Sequence, residues 1–207
     1  MKKKTIISLL SLCAIFGLLT ACGSGKKKQA NDTRTTEMTH QSTTESANST
    51  IPSDVQLDLK GMQQIGKEGY GYLYVPDNWL PFTDLDGSDT YQYTREGYNI
   101  VTLYSYTKED LAVEKIDQLA VKNAATSYYY GMESSNIYEN LTASMSEVAG
   151  REAYQVYGTV KSDGKILCAW FFKTEKNDKV YLVSLEGDKE TLNQVLPYIE
   201  GTWTATK

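Results

Sequence analysis

The stretch EAYQVYGTVKSDGKILCAWFFKTEKNDKVYLVSLE, Glu152 to Glu186, reads as three strands in succession. Glu152 to Lys161 and Lys165 to Thr174 flank Ser162-Asp163-Gly164, and Asp-Gly accommodates the positive φ that a tight hairpin needs. A second turn, Glu175-Lys176-Asn177-Asp178, leads into Lys179 to Glu186. Strands joined this closely pair antiparallel, because a parallel crossover needs about a dozen residues or more.

Working outward, Asn136 to Met145 reads as a further strand before this run, and Asp89 to Tyr93 with Asn99 to Tyr106 reads as a hairpin around Arg95-Glu96-Gly97. Tyr70 to Val75 alternates as a strand that stops at Pro76, where the N–H is missing. Thr107 offers an N-cap, with Asp110 three residues on. Leu111, Ile116, Leu119, Ala120 and Tyr128 then recur at helical spacing, which predicts a helix over Lys108 to Tyr130 ended by Gly131. Downstream, Leu192, Val195, Leu196 and Ile199 line one side of a closing helix capped by Asp188 and interrupted by Pro197. Sheet and helices together predict an α+β domain: an antiparallel sheet of about six to seven strands, with a long central helix and a C-terminal helix packed on it.

The run Tyr70-Gly71-Tyr72-Leu73-Tyr74-Val75-Pro76-Asp77-Asn78-Trp79 resembles the opening of the PsbP-like/Mog-like fold family, in which a first strand leads into a VP-x-x-W corner. The small-residue turn Val148-Ala149-Gly150-Arg151-Glu152-Ala153 and the order of elements fit the same pattern over about residues 65 to 205. The resemblance implies an antiparallel sheet between helices. It also implies a binding role, since members serve as a photosystem extrinsic subunit, a small-GTPase-binding protein or an envelope lipoprotein. It places no functional residue, because the matching positions build the corner and the sheet.

The N-terminus carries an address. Met1-Lys2-Lys3-Lys4 precedes an apolar stretch from Ile6 to Leu19, and Leu19-Thr20-Ala21-Cys22 resembles the bacterial lipobox. At fourteen residues, broken by Ser8, Ser11 and Gly17, that stretch falls short of the roughly 20 needed for a helical membrane span. The expected organisation is a signal peptide over 1–21, a disordered Ser/Thr-rich tether over 22–57 and the α+β domain over 58–207. On the lipobox resemblance Cys22 is the expected lipidation site, which would hold the chain by acyl chains to the extracytoplasmic face of a bacterial cell membrane. The tether has scarcely an apolar residue to offset its ordering entropy, and as a coil it spans roughly 30 Å. Lys26-Lys27-Lys28 either touches anionic headgroups or keeps the tether soluble; the residues leave both readings open.

Charge and composition narrow the function classes. Without Lys2, Lys3 and Lys4 the chain holds 18 basic and 26 acidic residues, a net −8 that falls entirely after Leu57. Such a domain is a poor partner for nucleic acid, whose phosphates call for Lys and Arg. Loss of Cys13 with the signal peptide and lipidation of Cys22 leave Cys168 as the one thiol, so no intramolecular disulfide is expected. His40, the sole histidine, sits in the tether, which deprives the domain of the usual general base and soft metal ligand. Cys168 therefore lacks an imidazole partner and reads as a buried strand residue. Asp84, Asp86 and Asp89 with Gly87 have the flavour of a Ca²⁺ loop, but Arg95 stands where an EF-hand wants its twelfth-position Glu, so the segment reads as a solvated turn.

No catalytic residue, cofactor site or metal site is predicted. The tyrosines are the remaining signal: all 16 follow the tether, and alternate residues such as Tyr70, Tyr72 and Tyr74 share strand faces. Those faces read first as sheet surface covered by a helix. Tyr128, Tyr129 and Tyr130, at the end of the long helix, cannot all point inward and form the candidate recognition surface. Trp79 and Trp203 are expected in the core. The expected function is a non-catalytic, lipid-anchored binding or accessory protein of the cell envelope with an unidentified protein partner; the alternative is a small-ligand capture lipoprotein with a Tyr-lined pocket.

Overall fold

A computed structural model describes residues 57–83, 89–176 and 178–207. Cys22, the signal peptide, nearly all of the tether with His40 and Lys26-Lys27-Lys28, and Asp84, Asp86 and Gly87 of the acidic turn lie outside the described residues. The elements are β1 (Met62–Lys67), β2 (Gly71–Pro76), β3 (Leu80–Phe82), β4 (Tyr91–Arg95), β5 (Asn99–Tyr106), α1 (Gln118–Ser135), β6 (Tyr138–Val148), β7 (Arg151–Val160), β8 (Ile166–Lys173), β9 (Val180–Gly187) and α2 (Lys189–Thr202).

Seven strands form one antiparallel sheet in the order β3-β4-β5-β9-β8-β7-β6, and β1 and β2 pair separately. The three strands read from Glu152 to Glu186 are β7, β8 and β9. Their meander returns from the β6 edge to pair β9 with β5 at the centre, after α1 has carried the chain across. Register fixes the two faces, because side chains alternate. Tyr157, Cys168, Leu185 and Val101 lie in one row, and Val156, Ala169, Ser184 and Thr102 in the next.

The first face carries Val101, Leu103, Trp170, Phe172, Val183 and Leu185. It is covered by Ile65, Leu73 and Val75 of the hairpin, by Trp79 at the corner, by Leu192, Val195 and Ile199 of α2, and by Trp203. The second face packs Val156, Leu167, Ala169, Phe171, Val180 and Leu182 under α1. Trp79 and Trp203 are buried, as expected, and sheet and helices form the α+β layers read from the sequence.

Several boundaries differ, most of all those of the long helix. The capping signal at Thr107 is real: its hydroxyl accepts from the Asp110 amide at 3.3 Å, and Asp110 Oδ2 accepts from the Thr107 amide at 2.8 Å. That turn closes at once, however. Val113 N–H donates to Lys108 O, Ala112 N–H donates to Glu109 O, and Ala112 sits at φ 52, the pattern of a Schellman stop. The long helix instead begins after Asp117, whose carboxylate accepts from the Ala120 amide at 3.0 Å. It buries Ala120, Val121, Ala124, Ala125 and Met132 and leaves Leu119 outside. It also passes through Gly131 to end at Asn136, φ 56. The strand before the Glu96-Gly97-Tyr98 turn runs from Tyr91 to Arg95 rather than from Asp89 to Tyr93, and β6 runs from Tyr138 to Val148 rather than from Asn136 to Met145. Finally, β1 carries little apolar pattern: Ile65 is its one buried residue, and the strand is held by its ladder to β2.

Candidate functional site

An open groove of about 470 Å³ lies at the β3 edge of the sheet, lined by Asn78, Leu80, Phe82, Thr94, Arg95, Glu96, Gly97 and Tyr98. One wall is the corner that follows β2. There Trp79 N–H donates to Pro76 O at 3.1 Å, and the Gln63 amide nitrogen sits 3.2, 3.1 and 2.7 Å from the carbonyls of Pro76, Asp77 and Trp79. The corner turns Trp79 into the core and Leu80 out, where it is 65 % exposed.

The other wall is the β4–β5 turn, Glu96-Gly97-Tyr98, closed by the Arg95↔Asn99 pair. Gly97 and Tyr98 both take positive φ, 82 and 58, so Tyr98 belongs to the turn. A bulky side chain in the left-handed region is uncommon and costs roughly 1–2 kcal/mol. Tyr98 is held there by Lys165, whose Nζ donates to Gly97 O and, at 3.1 Å, to Tyr98 O, and lies 5.3 Å from the Tyr98 ring centroid. Arg95 donates to Gln194 Oε1 of α2 at 3.3 Å. The tyrosine ring is thereby presented to solvent, 51 % exposed, on a braced turn.

Every residue lining this groove is half-buried or exposed. The site suits an apolar side chain entering between Leu80, Phe82 and Tyr98 with a charged rim at Arg95 and Glu96, the composition of a protein-binding patch. The volume reaches the several hundred Å³ of a small-ligand site, but Tyr98 is its single tyrosine. Sequence reasoning passed over Leu80 and Tyr98. The available signal was a tyrosine directly after Glu-Gly, where a turn favours Gly or Asn.

The tyrosine triplet is split by α1. The Tyr128 ring packs 5.3 Å from that of Phe171, whereas Tyr129 and Tyr130 meet edge to face at 5.7 Å and Tyr130 is 58 % exposed. Cys168 is buried in the first core, and burial pushes its thiol up to about 12, with Glu200 adding in the same direction. Asp89, the described member of the acidic turn, is exposed. Among the described residues no three His, Cys, Asp or Glu side chains are grouped to hold a metal ion. No described helix is long and apolar enough to cross a membrane.

No protein-family model and no curated protein sequence matches this chain. Among solved structures it is similar to the Saccharomyces cerevisiae Ran-binding protein Mog1p, at 12 % identity and TM-score 0.47, over 70 % of this chain and 95 % of that one. It is also similar to a Bacteroides thetaiotaomicron protein, at 11 % identity and TM-score 0.45, over 69 % of this chain and 47 % of the other. LpqN, involved in cell envelope biogenesis of Mycobacterium tuberculosis, matches at 17 % identity and TM-score 0.39, over 67 % of this chain and 87 % of that one. At these identities none of the likenesses places a functional residue here.

Proposed function

We propose that the chain is a non-catalytic, lipid-anchored accessory protein on the extracytoplasmic face of a bacterial membrane, which holds another envelope protein through the groove at the β3 edge. The address rests on Leu19-Thr20-Ala21-Cys22 and the basic, apolar run before it. The binding half rests above all on Tyr98. A residue kept at φ 58, where glycine would relieve the backbone, and kept half exposed beside Leu80 is explained by what it offers a partner. Tyrosine supplies a large rigid surface with a polar tip, and Arg95 stands next to it.

Photocrosslinking on intact cells tests this reading, with the probe placed at Leu80 in one strain and at Tyr130 in another. Capture of one discrete protein through Leu80 is expected, together with loss of the chain from the membrane fraction on Cys22→Ala. Capture through Tyr130 alone would move the site to α1. Retention of the Cys22→Ala chain on the membrane, or substrate turnover by the purified chain, would refute the proposal.

A further inference from the structure

The two edges of the seven-stranded sheet are finished differently. At one, β3 has three residues and carries Pro81, which lacks an N–H; short length and proline are the usual devices that stop a sheet from recruiting another strand. At the other, β6 runs for eleven residues, YENLTASMSEV, with no Pro, Lys or Arg. Its one irregularity, between Glu139 and Thr142 with Asn140 at φ 53, leaves Thr142 to Val148 in regular register with β7.

Register and turn show which groups this edge presents. The β6–β7 turn is Ala149-Gly150, both at positive φ (48 and 76), closed by the Val148↔Arg151 pair. In a two-residue hairpin of that kind the closing pair is hydrogen-bonded, and bonding then alternates. Thr142, Ser144, Ser146 and Val148 therefore bond to β7, while the N–H and C=O of Ala143, Met145 and Glu147 point outward. No strand pairs this edge among the described residues. Ala143, Met145 and Glu147 are exposed, Met145 to 56 %, and continue the rows of Val156, Tyr154 and Glu152 on the α1 side.

Those rows specify an occupant. Glu147 stands directly opposite Glu152, a like-charge pair that disfavours the sheet as it stands. Of the nearby cations, Arg151 is committed elsewhere, donating to Ala149 O at 2.8 Å with its guanidinium 5.2 Å from the Trp203 ring on the other face, and Lys173, next after Phe172 on β8, lies on the Glu152 side away from the edge, which leaves Glu147 as the carboxylate at the open edge. An added strand with Lys or Arg beside Glu147 would pair with that carboxylate, and apolar residues beside Met145 and Ala143 would extend the Tyr154 and Val156 rows. A second copy of this chain does not meet that requirement. Pairing β6 with itself antiparallel sets Met145 against Met145 and Ala143 against Glu147, with no cation beside Glu147.

We propose that the β6 edge accepts an extended segment of a partner protein as an additional antiparallel strand, with a basic residue beside Glu147 and apolar residues beside Met145 and Ala143. This site lies at the far edge of the sheet from the groove and stands whether or not the groove is used. The probe is the fluorescent peptide Thr-Arg-Thr-Leu-Thr-Val-Thr, followed by anisotropy with the full chain in detergent. Saturable binding is expected, weakened about tenfold by Met145→Pro, which removes an outward N–H while sparing the β7 ladder. N-methylation of the peptide's leucine should have the same effect on the native chain, and so reads the backbone contact even where Met145→Pro fails to fold. Glu147→Lys should reverse the preference toward a peptide with Glu in place of Arg. Equal binding of the N-methylated peptide, no saturable binding at millimolar concentration, or a dimer with a second copy on this edge would each overturn the proposal.

Discussion

Replacing Gly71 by Ala tests how the C-terminus closes the first core. Gly71 opens β2 at φ 87, and a Cβ there would overlap Cε2 and Nε1 of Trp203 and come within 2.5 Å of Cζ2. The indole has nowhere to retreat. It is buried, with Phe172 and Tyr181 at 4.7 and 4.9 Å, and the next residue, Thr204, exchanges two 2.8 Å backbone bonds with Tyr72. The left-handed backbone costs an alanine about 1–2 kcal/mol. Overpacking against a rigid ring adds about 1–3 kcal/mol, for roughly 2–5 kcal/mol in all. Gly164→Ala supplies the control, because Gly164 has φ 74 but nothing within 4 Å of a Cβ, so it incurs the backbone cost alone. Urea unfolding of both variants, followed by tryptophan fluorescence, measures the difference. Agreement of the two within about 0.5 kcal/mol, the usual error of additivity, would refute the claim that Trp203 is locked over Gly71.

Tyr98→Gly removes the strain at φ 58 and should leave the midpoint of unfolding unchanged or higher while abolishing crosslinking through Leu80; thermal melts and the intact-cell assay read the two effects. Gln63→Ala removes the amide that three carbonyls of the VP-x-x-W corner share and should cost about 1–3 kcal/mol in urea unfolding. Burial pushes the Cys168 thiol from the ordinary 9.0 and the Tyr138 hydroxyl from 10.0, each up to about 12. Both stay protonated in the fold where the unfolded chain ionises, so stability present below pH 9 should fall as pH rises from 9 toward 12, and Cys168→Ala should reduce the slope. By the same burial, a thiol reagent at pH 8 should modify Cys168 only after urea is added.

The sequence disclosed most where local chemistry and tertiary context agree. Asp163-Gly164 makes a hairpin in any setting, and Asp188 caps α2 with its carboxylate accepting from the Thr191 amide at 2.8 Å, a bond that holds that carboxyl below its usual range. It disclosed less where one signal was overruled by the next. Thr107 and Asp110 do form their reciprocal bonds, but Ala112 at φ 52 is invisible in composition, since alanine is the best helix former. The buried side of α1 is largely alanine, so the larger Leu111, Ile116 and Leu119 drew the predicted helix too far upstream. The groove was hidden for a related reason: its residues come from the corner, β3 and the β4–β5 turn, and nothing in the chain announces that these meet.

What brings them together in a fixed geometry is largely Asn99. Its side chain is buried between the turn and the start of α2: Nδ2 donates to Glu96 O at 2.8 Å, and Oδ1 accepts from the Asp188 amide at 2.9 Å. Gly187 is required beside it, because a Cβ there would overlap Oδ1. Thr94 adds a 2.9 Å bond from its hydroxyl to Asn99 O, and Lys165 reaches in from the β7–β8 turn to the Gly97 and Tyr98 carbonyls. The turn that bears Tyr98 is thus fastened to α2 and to the neighbouring hairpin, and the facing wall is fastened by Gln63. For the partner proposed above, binding to a groove whose walls are already ordered would forfeit little conformational entropy, so that a modest apolar contact at Leu80 and Tyr98 would contribute most of its energy to affinity. The same bracing explains how a strained tyrosine persists: the surrounding bonds over-determine its position, and the strain is carried by the fold rather than relieved by local unwinding.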